Sequence, residues 1–357
     1  MEKKCVVVLY GGRSVEHGVS INSARNILQY IDRDRFRPVA VGISPDGRWF
    51  LTSDVTRDMT TGEELIINTN PSAPELRSGR ETIRPDVVFP VLHGTDGEDG
   101  SIQGLLKSFD IPFVGSGVLG SALSMNKIIA KQLLAAAGLP VTPFRYFHYS
   151  QHGQIGYESI AAELGTPFMV KSASLGSSVG VSKVRNKKEF DAALADSFSY
   201  DDEVLFEQYI KGREIECAVL GNDPPQASRP GEIVISDKYE FYSFDAKYVD
   251  GEAVEIRIPA DLTPDVEKQV QEISVQAFLA LRCRDFARVD LFLSDRGMFI
   301  NEINTIPGFT NSSMYPMMWK ERGIGFTDLI SKLIDTAFDR TLRENRIRRD
   351  FQSDLKY

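Results

Sequence analysis

Continuous apolar runs alternate with amphipathic stretches over the first 120 residues or so of the chain. KCVVVLYGG (4–12), FRPVAVGIS (36–44) and PDVVFPVLHG (85–94) are typical of buried parallel strands, and residues 20–31 and 101–110 have the pattern of helices. This alternation predicts an open α/β sheet, in which ligands gather at the carboxyl ends of the strands. The polar residues 52–82 are interpreted as an irregular surface excursion.

The rest of the chain divides into two further units with mixed helix and strand patterns. In the second unit, a helix (125–138) precedes the strands PFMVKS and VGVSKV, a helix (188–196) and the strand EVLFEQYI (203–210). Beyond a hinge at Lys211-Gly212, the third unit contains REIECAVLG, a polar-aromatic loop (236–254), a helix (264–283), the strands DFARVDLFLS and GMFINEIN, and a closing helix (327–341). We therefore predict domains at 1–123, 124–211 and 212–345, followed by a tail at 346–357.

Composition excludes some classes of protein. The 357 residues are 42% hydrophobic and 25% charged, as in soluble globular proteins, and this length predicts two or three domains. A formal net charge of -9 argues against a nucleic-acid binder. No apolar run is long enough for a membrane span, and no signal peptide is expected, so we expect a cytoplasmic protein whose three cysteines are reduced core residues.

The segment KSASLGSSVG (171–180) joins two predicted strands and is rich in groups that bind anions. Its lysine precedes the glycines, which excludes a P-loop, and its glycine spacing excludes a dinucleotide fingerprint. Two interpretations stay open: a loop whose backbone N–H groups and hydroxyls wrap phosphate oxygens, or a mobile Gly/Ser hairpin tip.

The two strands near the end of the third unit carry a candidate metal site. Alternation places Arg288 and Asp290 on one face of their strand, and Glu302 and Asn304 on one face of the next. A three-residue turn, Asp295 to Gly297, sets Asp290 opposite Glu302 and Arg288 opposite Asn304. These oxygen ligands suit Mg²⁺ rather than Zn²⁺. The alternative is a solvated hairpin with a surface Arg–Asp pair.

Seven segments in order carry a resemblance to a known family. GGRSVEHGVS, LHGTDGEDG, SMNK, KSASLGSSVGV, FDAKY, RVDLFL and NEINTIPGFTNSSMYP span nearly the whole chain. Together they resemble the D-alanine–D-alanine ligases of the ATP-grasp superfamily. The resemblance implies a three-domain ATP-grasp architecture of α/β and α+β domains. The N-terminal domain is an open parallel α/β domain, and ATP is held between the central and C-terminal domains.

The resemblance also implies a set of nucleotide and metal ligands. Without it, Lys127 would be a solvated helix lysine, and Glu207 and Glu214 would be surface carboxylates. The residues implied for ATP are Lys127, Lys171, Leu175, Gly176, Ser177, Ser178, Glu207, Gln208, Tyr209, Ile210, Glu214, Phe241, Lys247 and Asn301. Asp290, Glu302 and Asn304 would bind Mg²⁺ or Mn²⁺, with two ions expected in the family manner.

The implied reaction joins two D-alanines with ATP through D-alanyl phosphate, for peptidoglycan precursor synthesis; the alternative product is D-Ala-D-lactate or D-Ala-D-serine. The catalytic and substrate residues implied are Glu16, His93, Ser177, Tyr248, Arg288, Gly308, Ser313 and Met314. Tyr248 and Met314 fit the dipeptide-forming type, whereas Leu175 departs from relatives that have a carboxylate there. Glu16 could instead be a helix-start carboxylate, and His93 a structural loop residue. A homodimer is expected by analogy.

Overall fold

The computed structural model describes residues 2–68, 70, 74–79, 81–177, 179–236 and 254–348. Four of the residues expected to bind nucleotide or substrate lie outside the described residues: Ser178, Phe241, Lys247 and Tyr248. Almost all of the predicted polar-aromatic loop and most of the predicted tail also lie outside them.

The first unit is built on a sheet whose central strands are parallel. The strand order is β4-β3-β2-β1-β8, and β1 pairs in parallel with both β2 and β8. Every residue of β1 after Lys4 is buried, as its continuous apolar run requires. The elements are β1 (Lys4–Gly11), α1 (His17–Tyr30), β2 (Phe36–Ile43), β3 (Trp49–Thr52), β4 (Glu63–Glu64), β8 (Val87–Pro90) and α2 (Ser101–Ser108).

The interpretation of residues 52–82 as irregular was wrong. Besides β4, this segment contains β5 (Ile66–Asn68), β6 (Glu75–Arg77) and β7 (Thr82–Ile83), which pair as a small antiparallel sheet. Leu65, Leu76 and Ile83 are buried in one core cluster with β1. Strands of two or three residues are too short to show a hydrophobic period, so the sequence pattern could not indicate them.

The second unit has an antiparallel sheet in the order β11-β10-β12-β9. The predicted helix at 125–138 is a shorter helix, α4, which Asn126 caps by accepting hydrogen bonds from two backbone N–H groups. A further helix, α3, precedes it and was not predicted. The elements are α3 (Val118–Met125), α4 (Lys127–Ala136), β9 (Phe144–His148), α5 (Tyr157–Leu164), β10 (Phe168–Ser172), β11 (Val181–Val184), α6 (Lys187–Tyr200) and β12 (Glu203–Gln208).

The third unit has a sheet with one apolar and one polar face. The strand order is β16-β15-β13-β17-β18, with β14 paired to β13. Cys217, Val289 and Ile303 lie on the face that packs against helix α7. On the opposite face Glu216, Arg288 and Glu302 line the cleft to the second unit, whereas Ala218 and Phe286 pack in a core cluster shared with the first unit. The elements are β13 (Arg213–Leu220), β14 (Gln226–Ala227), β15 (Gly231–Ile235), β16 (Val254–Arg257), α7 (Pro264–Ala280), β17 (Phe286–Ser294), β18 (Gly297–Asn304), α8 (Met314–Glu321) and α9 (Phe326–Glu344). Helix α8 was not predicted.

The β17–β18 hairpin has the expected pairing at its functional end, but for a different reason. Asp290 lies opposite Glu302, and Arg288 lies opposite Asn304. The predicted three-residue turn was wrong, because Ser294 pairs with Gly297 across a two-residue turn. The register then shifts by one between Asp290 and Leu291, where Asn301 is the extra residue of a β-bulge. The bulge therefore places the polar groups of the two strands on one face.

A buried ion pair and the backbone groups that it binds join the first and third units. Asp285, which is fully buried, accepts hydrogen bonds from Arg340 of α9 (3.1 Å) and from the backbone N–H of Gly115 (2.9 Å). Arg340 also donates to the carbonyl oxygen of Phe113. A charge on either side chain is therefore tolerated only while the other is present.

All three cysteines, Cys5, Cys217 and Cys283, are free and buried. Burial raises the pKa of the Cys217 and Cys283 thiols to about 11, which keeps them protonated and unreactive. Their expected role as reduced core residues agrees with this environment.

Within the described ranges, no helix combines the length and the apolar character that crossing a membrane requires.

We expect Asp285→Asn to lower the free energy of unfolding by about 3–5 kcal/mol, because it leaves the Arg340 guanidinium buried without its counter-charge. Asparagine tolerates the left-handed backbone at this position (φ 62°), so the loss of charge is tested by itself. Urea unfolding followed by circular dichroism measures the change.

The matched control is Asp335→Asn, which breaks the exposed pair between α9 and Arg35. A cost below about 1 kcal/mol is expected there. Equal costs for the two variants would contradict the assigned importance of the buried pair.

Candidate active site

Two adjoining cavities lie between the three units. The first, about 360 Å³, separates strands β10, β11 and β12 from the polar face of the third unit. The second, about 740 Å³, extends from that face to the carboxyl ends of β1 and β8. Glu216, Arg288 and Glu302 line both cavities, so they form a shared wall. Every described residue expected in the site lines one of the two cavities, and most are brought within reach of this wall.

Arg288 in the shared wall pairs with two neighbouring carboxylates. Arg288 donates two parallel hydrogen bonds to Asp290, each 2.7 Å, and its Nε lies 2.9 Å from Oε2 of Glu216. Burial alone would lower the pKa of Arg288, but Asp290 and Glu216 outweigh it, and the pKa is raised well above its ordinary value. Asn304 donates a further bond of 2.9 Å to Asp290. Arg288 is therefore held as a permanent cation between the two cavities.

Asp290, Glu302 and Asn304 fit a hard divalent cation. They supply only oxygen ligands, and the two carboxylates are cross-strand neighbours. Among the residues that the structure describes, no group of three or more His, Cys, Asp or Glu side chains could hold a metal. The set is instead two carboxylates and one carboxamide, which suits Mg²⁺ or Mn²⁺ rather than Zn²⁺.

A buried glutamate between two lysines forms the floor of the first cavity. Glu207 Oε2 lies 2.5 Å from Lys171, and Oε1 lies 2.5 Å from Lys131 and accepts a hydrogen bond from Thr142. Burial opposes ionisation of Glu207, but the two ammonium groups outweigh it and lower its pKa to about 2. Lys171 also donates to the side chain of the bulged Asn301, at 3.0 Å. This network connects the second unit to the third.

Lys131 was missed by the sequence analysis. It is buried (1% exposed) on α4, one turn after Lys127. Burial lowers its pKa, although Glu207 opposes this effect. A lysine on an amphipathic helix is normally solvated, so the pattern contained no signal that this one points inward; only its spacing of four from Lys127 places it on the same face.

The loop between β10 and β11 folds over both cavities. Lys127 donates to the carbonyl oxygen of Leu175 and lies 3.8 Å from Glu302. Ser177, whose φ is 52°, donates its hydroxyl to Oε1 of Glu16 in the first unit. A Cβ atom on Gly176 would lie 2.5 Å from Oε2 of Glu16, so any larger residue here would displace the Glu16 carboxylate. The expected Glu16–Ser177 contact is therefore present.

Glu16 lines the second cavity and has one carboxylate oxygen without a hydrogen-bond donor in the described part of the chain. The residue is buried (8% exposed), and only one of its two carboxylate oxygens receives the Ser177 hydroxyl. The other, Oε2, has no hydrogen-bond partner among the described residues. A buried carboxylate oxygen without a donor is costly, so this geometry favours a cationic ligand.

His93 and Glu98 follow β8 and lie against the second cavity. Both ring nitrogens of His93 are used inside the protein, by the carbonyl oxygen of Ile306 (2.8 Å) and by Ser23 (3.0 Å). Burial lowers the pKa of His93, which keeps the ring neutral. A direct hydrogen bond from His93 to substrate would require breaking one of these two bonds.

Glu98 lies in the LHGTDGEDG segment but was not predicted to be a site residue. Its carboxylate accepts hydrogen bonds from the backbone N–H groups of Gly94 (2.8 Å) and Ile306 (2.9 Å). Burial and the nearby charge of Glu16 raise its pKa to about 8, against the two hydrogen bonds, which lower it. Its position just after a parallel strand was the available signal.

The remaining expected residues lie along the rims of the two cavities. Gln208, Tyr209, Ile210 and Glu214 line the first cavity at the junction of β12 and β13. The Tyr209 ring contacts the ammonium group of Lys183 at 3.9 Å from its centroid. Gly308, Ser313 and Met314 line the second cavity, where Ser313 precedes α8 at the N-cap position without a side-chain capping hydrogen bond.

Comparison with known proteins identifies close relatives of the whole chain. The family model described as D-ala D-ala ligase N-terminus matches residues 5–116, and that described as D-ala D-ala ligase C-terminus matches residues 133–335. The D-alanine--D-alanine ligase of Shouchella clausii is 46% identical over 98% of this chain and 98% of its own length. D-alanine--D-alanine ligase A of Escherichia coli K12 is 43% identical over 98% of this chain and 99% of its own.

Solved structures agree with these matches. The D-alanine-D-alanine ligase from Coxiella burnetii superposes with a TM-score of 0.85 at 36% identity, covering 97% of each chain. The VanG D-Ala:D-Ser ligase from Enterococcus faecalis has the same TM-score and identity, covering 94% of this chain and 100% of its own. The similarity therefore extends over all three units.

The raised pKa of Glu98 predicts a pH dependence of stability. An unfolded glutamate has a pKa of about 4.3, so the folded protein binds a proton at Glu98 that the unfolded chain has lost between about pH 5 and pH 8. The contribution of Glu98 to the free energy of unfolding is fully present below the pKa of the unfolded chain and is lost as the pH rises through about 8. Glu98→Gln cannot titrate, so the wild type should lose stability relative to this variant as the pH rises.

Melting temperatures of the two proteins across this pH range measure the effect. The exposed Glu158→Gln variant is the control for loss of one carboxylate. A difference between wild type and Glu98→Gln that does not change with pH would contradict the shifted pKa.

Proposed function

The chain belongs to the D-alanine–D-alanine ligase family, and on that premise we propose that it joins two D-alanines into D-alanyl-D-alanine with consumption of ATP. The reaction serves synthesis of peptidoglycan precursors. The observation that carries the proposal is the wall of Glu216, Arg288 and Glu302, which is shared by a lysine-rich cavity and a cavity containing an unpaired carboxylate oxygen.

The first cavity is the proposed ATP site. Glu207, Gln208, Tyr209 and Ile210 lie at the adenine end, and Glu214 is placed for the ribose hydroxyls. Leu175, Gly176 and Ser177 lie over the phosphate end, where Lys127 and Lys171 supply positive charge and Asn301 positions Lys171. Ser178, Phe241 and Lys247 are proposed by family resemblance to complete the site.

The chemistry requires activation of a carboxylate, because a free carboxylate has no good leaving group. Transfer of the γ-phosphoryl group to the first D-alanine gives D-alanyl phosphate, whose phosphate departs when the amine of the second D-alanine attacks the acyl carbon. Positioning and charge neutralisation carry most of such a phosphoryl transfer. Asp290, Glu302 and Asn304 would hold Mg²⁺ or Mn²⁺, and the family implies two ions. The metal would neutralise phosphate oxygens.

The second cavity is the proposed D-alanine site. Oε2 of Glu16 accepts a hydrogen bond from the ammonium group of the first D-alanine, which gives this buried oxygen a donor. Ser177 links Glu16 to the loop over ATP, and Tyr248 is proposed to extend the same chain of hydrogen bonds. His93 lines this subsite.

The acyl-transfer step needs donors aimed at the developing oxyanion. Arg288 and the backbone N–H of Gly308 are the proposed donors, and both line the second cavity. Ser313 and the backbone N–H of Met314 lie at the start of α8, where a helix N-terminus favours the carboxylate of the second D-alanine.

The alternative products are D-Ala-D-serine and D-Ala-D-lactate. A D-Ala:D-Ser ligase is 36% identical to this chain, so the alternatives differ in the second substrate that the protein uses. The relatives named for D-alanine ligation are 43–46% identical, which favours the dipeptide.

The same proposal includes the organisation of the chain. We divide it into domains at 1–123, 124–211 and 212–345 with a tail at 346–357; each sheet lies within one range, although the first border falls inside α3 (Val118–Met125). A homodimer is proposed by family analogy, and a cytoplasmic location because the reaction consumes ATP.

A phosphate-release assay tests the proposed reaction. Purified protein with ATP and Mg²⁺ should release phosphate with D-alanine and not with L-alanine. D-serine or D-lactate is then added together with a low concentration of D-alanine. Mass spectrometry should detect little D-Ala-D-serine or D-Ala-D-lactate. Phosphate release that does not depend on D-alanine would refute the ligase function, and a dominant mixed product would favour the alternative.

Asp290→Asn tests the metal ligands. It removes one carboxylate from the oxygen set and should lower kcat by about 100-fold, since a metal stabilises the transferring charge by several kcal/mol. The control is Asp295→Asn in the turn of the same hairpin, for which we expect kcat within about twofold of wild type. Full turnover by Asp290→Asn at limiting Mg²⁺ would remove the metal assignment.

A further inference from the structure

The loop from Ile306 to Phe309 is anchored at both ends by side chains of the first unit. The backbone N–H of Ile306 donates to Glu98 (2.9 Å), and its carbonyl oxygen accepts from Nδ1 of His93 (2.8 Å). The backbone N–H of Phe309 donates to the hydroxyl of Ser23 (3.2 Å). Gly308 lies between these two anchored residues.

The three side chains act as one network. Ser23 lies 3.0 Å from Nε2 of His93. Since Nδ1 must donate to the Ile306 carbonyl oxygen, Nε2 of the neutral ring is an acceptor, and the Ser23 hydroxyl donates to it. The hydroxyl oxygen is then available to accept the Phe309 N–H. The Ser23 hydroxyl and the His93 ring therefore each donate one hydrogen bond and accept one, and the arrangement defines the tautomer of His93.

Burial makes the network hard to replace with water. Ser23 is fully buried, and His93, Ile306 and Phe309 are each less than 5% exposed. In such surroundings, a backbone N–H that loses its partner cannot form a hydrogen bond with water instead. The loop is thus held more firmly than its lack of regular secondary structure would suggest.

Gly308 itself is closely approached. A Cβ atom at this position would lie 3.0 Å from the hydroxyl oxygen of Ser313. The N–H of Gly308 lies in the plane of the peptide unit between Pro307 and Gly308, and the anchored Ile306 carbonyl and Phe309 N–H belong to the peptide units on either side of that plane.

We propose that Ser23, His93 and Glu98 are positioning residues that aim the backbone N–H of Gly308 at the oxyanion of the acyl-transfer step. The inference rests on the proposed function of Gly308. An oxyanion donor works only within about 2.7–3.1 Å of the oxygen it stabilises, and a displacement of about 1 Å can cost 100-fold in rate. The first domain thereby sets the geometry of chemistry that occurs on a loop of the third.

Ser23→Ala is the most direct test. It removes the acceptor of the Phe309 N–H and the donor to His93 without adding atoms. We expect kcat to fall about tenfold, while KM for ATP changes less than about twofold, because neither Ser23 nor His93 lines the nucleotide cavity. A role limited to packing would lower stability without separating kcat from KM.

Ser20→Ala is the matched control. Ser20 lies on the same helix, is also fully buried, and makes two hydrogen bonds, to the Gly11 N–H and the Val91 carbonyl oxygen, neither of which reaches the 306–309 loop. Its kcat should stay within about twofold of wild type. Equal loss of kcat in Ser20→Ala and Ser23→Ala would overturn the proposal.

Two further measurements keep the outcomes distinct. Ser23→Cys fills the same space with a weaker donor and acceptor, so it should show the same separation of kcat from KM if Ser23→Ala does not fold. Unchanged kcat in a folded Ser23→Cys would then overturn the proposal. Failure of the proposed function is separate, since it would appear as a wild type that does not form D-alanyl-D-alanine.

Discussion

The neutralisation of buried carboxylates is the constraint on which this structure depends. Glu207 lies between Lys131 and Lys171, Asp290 is bound by both arms of Arg288, and Glu302 faces Lys127. A carboxylate removed from water without a partner would cost several kcal/mol, so each of these carboxylates is held beside a cation, and the contact between Glu302 and Lys127 joins the third unit to the second. The placement of the strands that carry these carboxylates therefore depends on the placement of the cations beside them.

Of these cations, Lys127 and Lys171 are proposed to bind ATP, and Arg288 is proposed to bind the oxyanion. In the described structure they are occupied by carboxylates of the protein, which holds the lysines and the arginine in place within a polar cleft. When a triphosphate binds with a divalent ion, phosphate oxygens would replace protein carboxylates beside the lysines, and the ion would bind carboxylates. The site is thus organised before the ligands arrive, which is the condition for electrostatic catalysis without reorganisation.

Contacts between units use backbone groups as often as charges. Ser177 reaches Glu16, Glu98 and His93 hold Ile306, and Asp285 receives the N–H of Gly115. Each contact joins segments more than 100 residues apart and involves a loop that directly follows or precedes a strand. Loops that carry proposed catalytic groups are in this way made as well defined as the sheets they connect.

Hydrophobic period and local motifs indicated the long elements, and the family resemblance added most of the candidate residues. Alternation along β17 places Arg288 and Asp290 on one face, and alternation along β18 does the same for Glu302 and Asn304. The sequence did not indicate the short strands β3 to β7, β9 and β14 to β16, or helices α3, α5 and α8, whose patterns are too short to separate from loops. Only the tertiary structure decided the two-residue turn with its bulge at Asn301, the inward position of Lys131 and the anchoring of the 306–309 loop by Ser23, His93 and Glu98. These features depend on which distant groups meet in a buried space, and that information lies in the packing of the units rather than in any stretch of the chain.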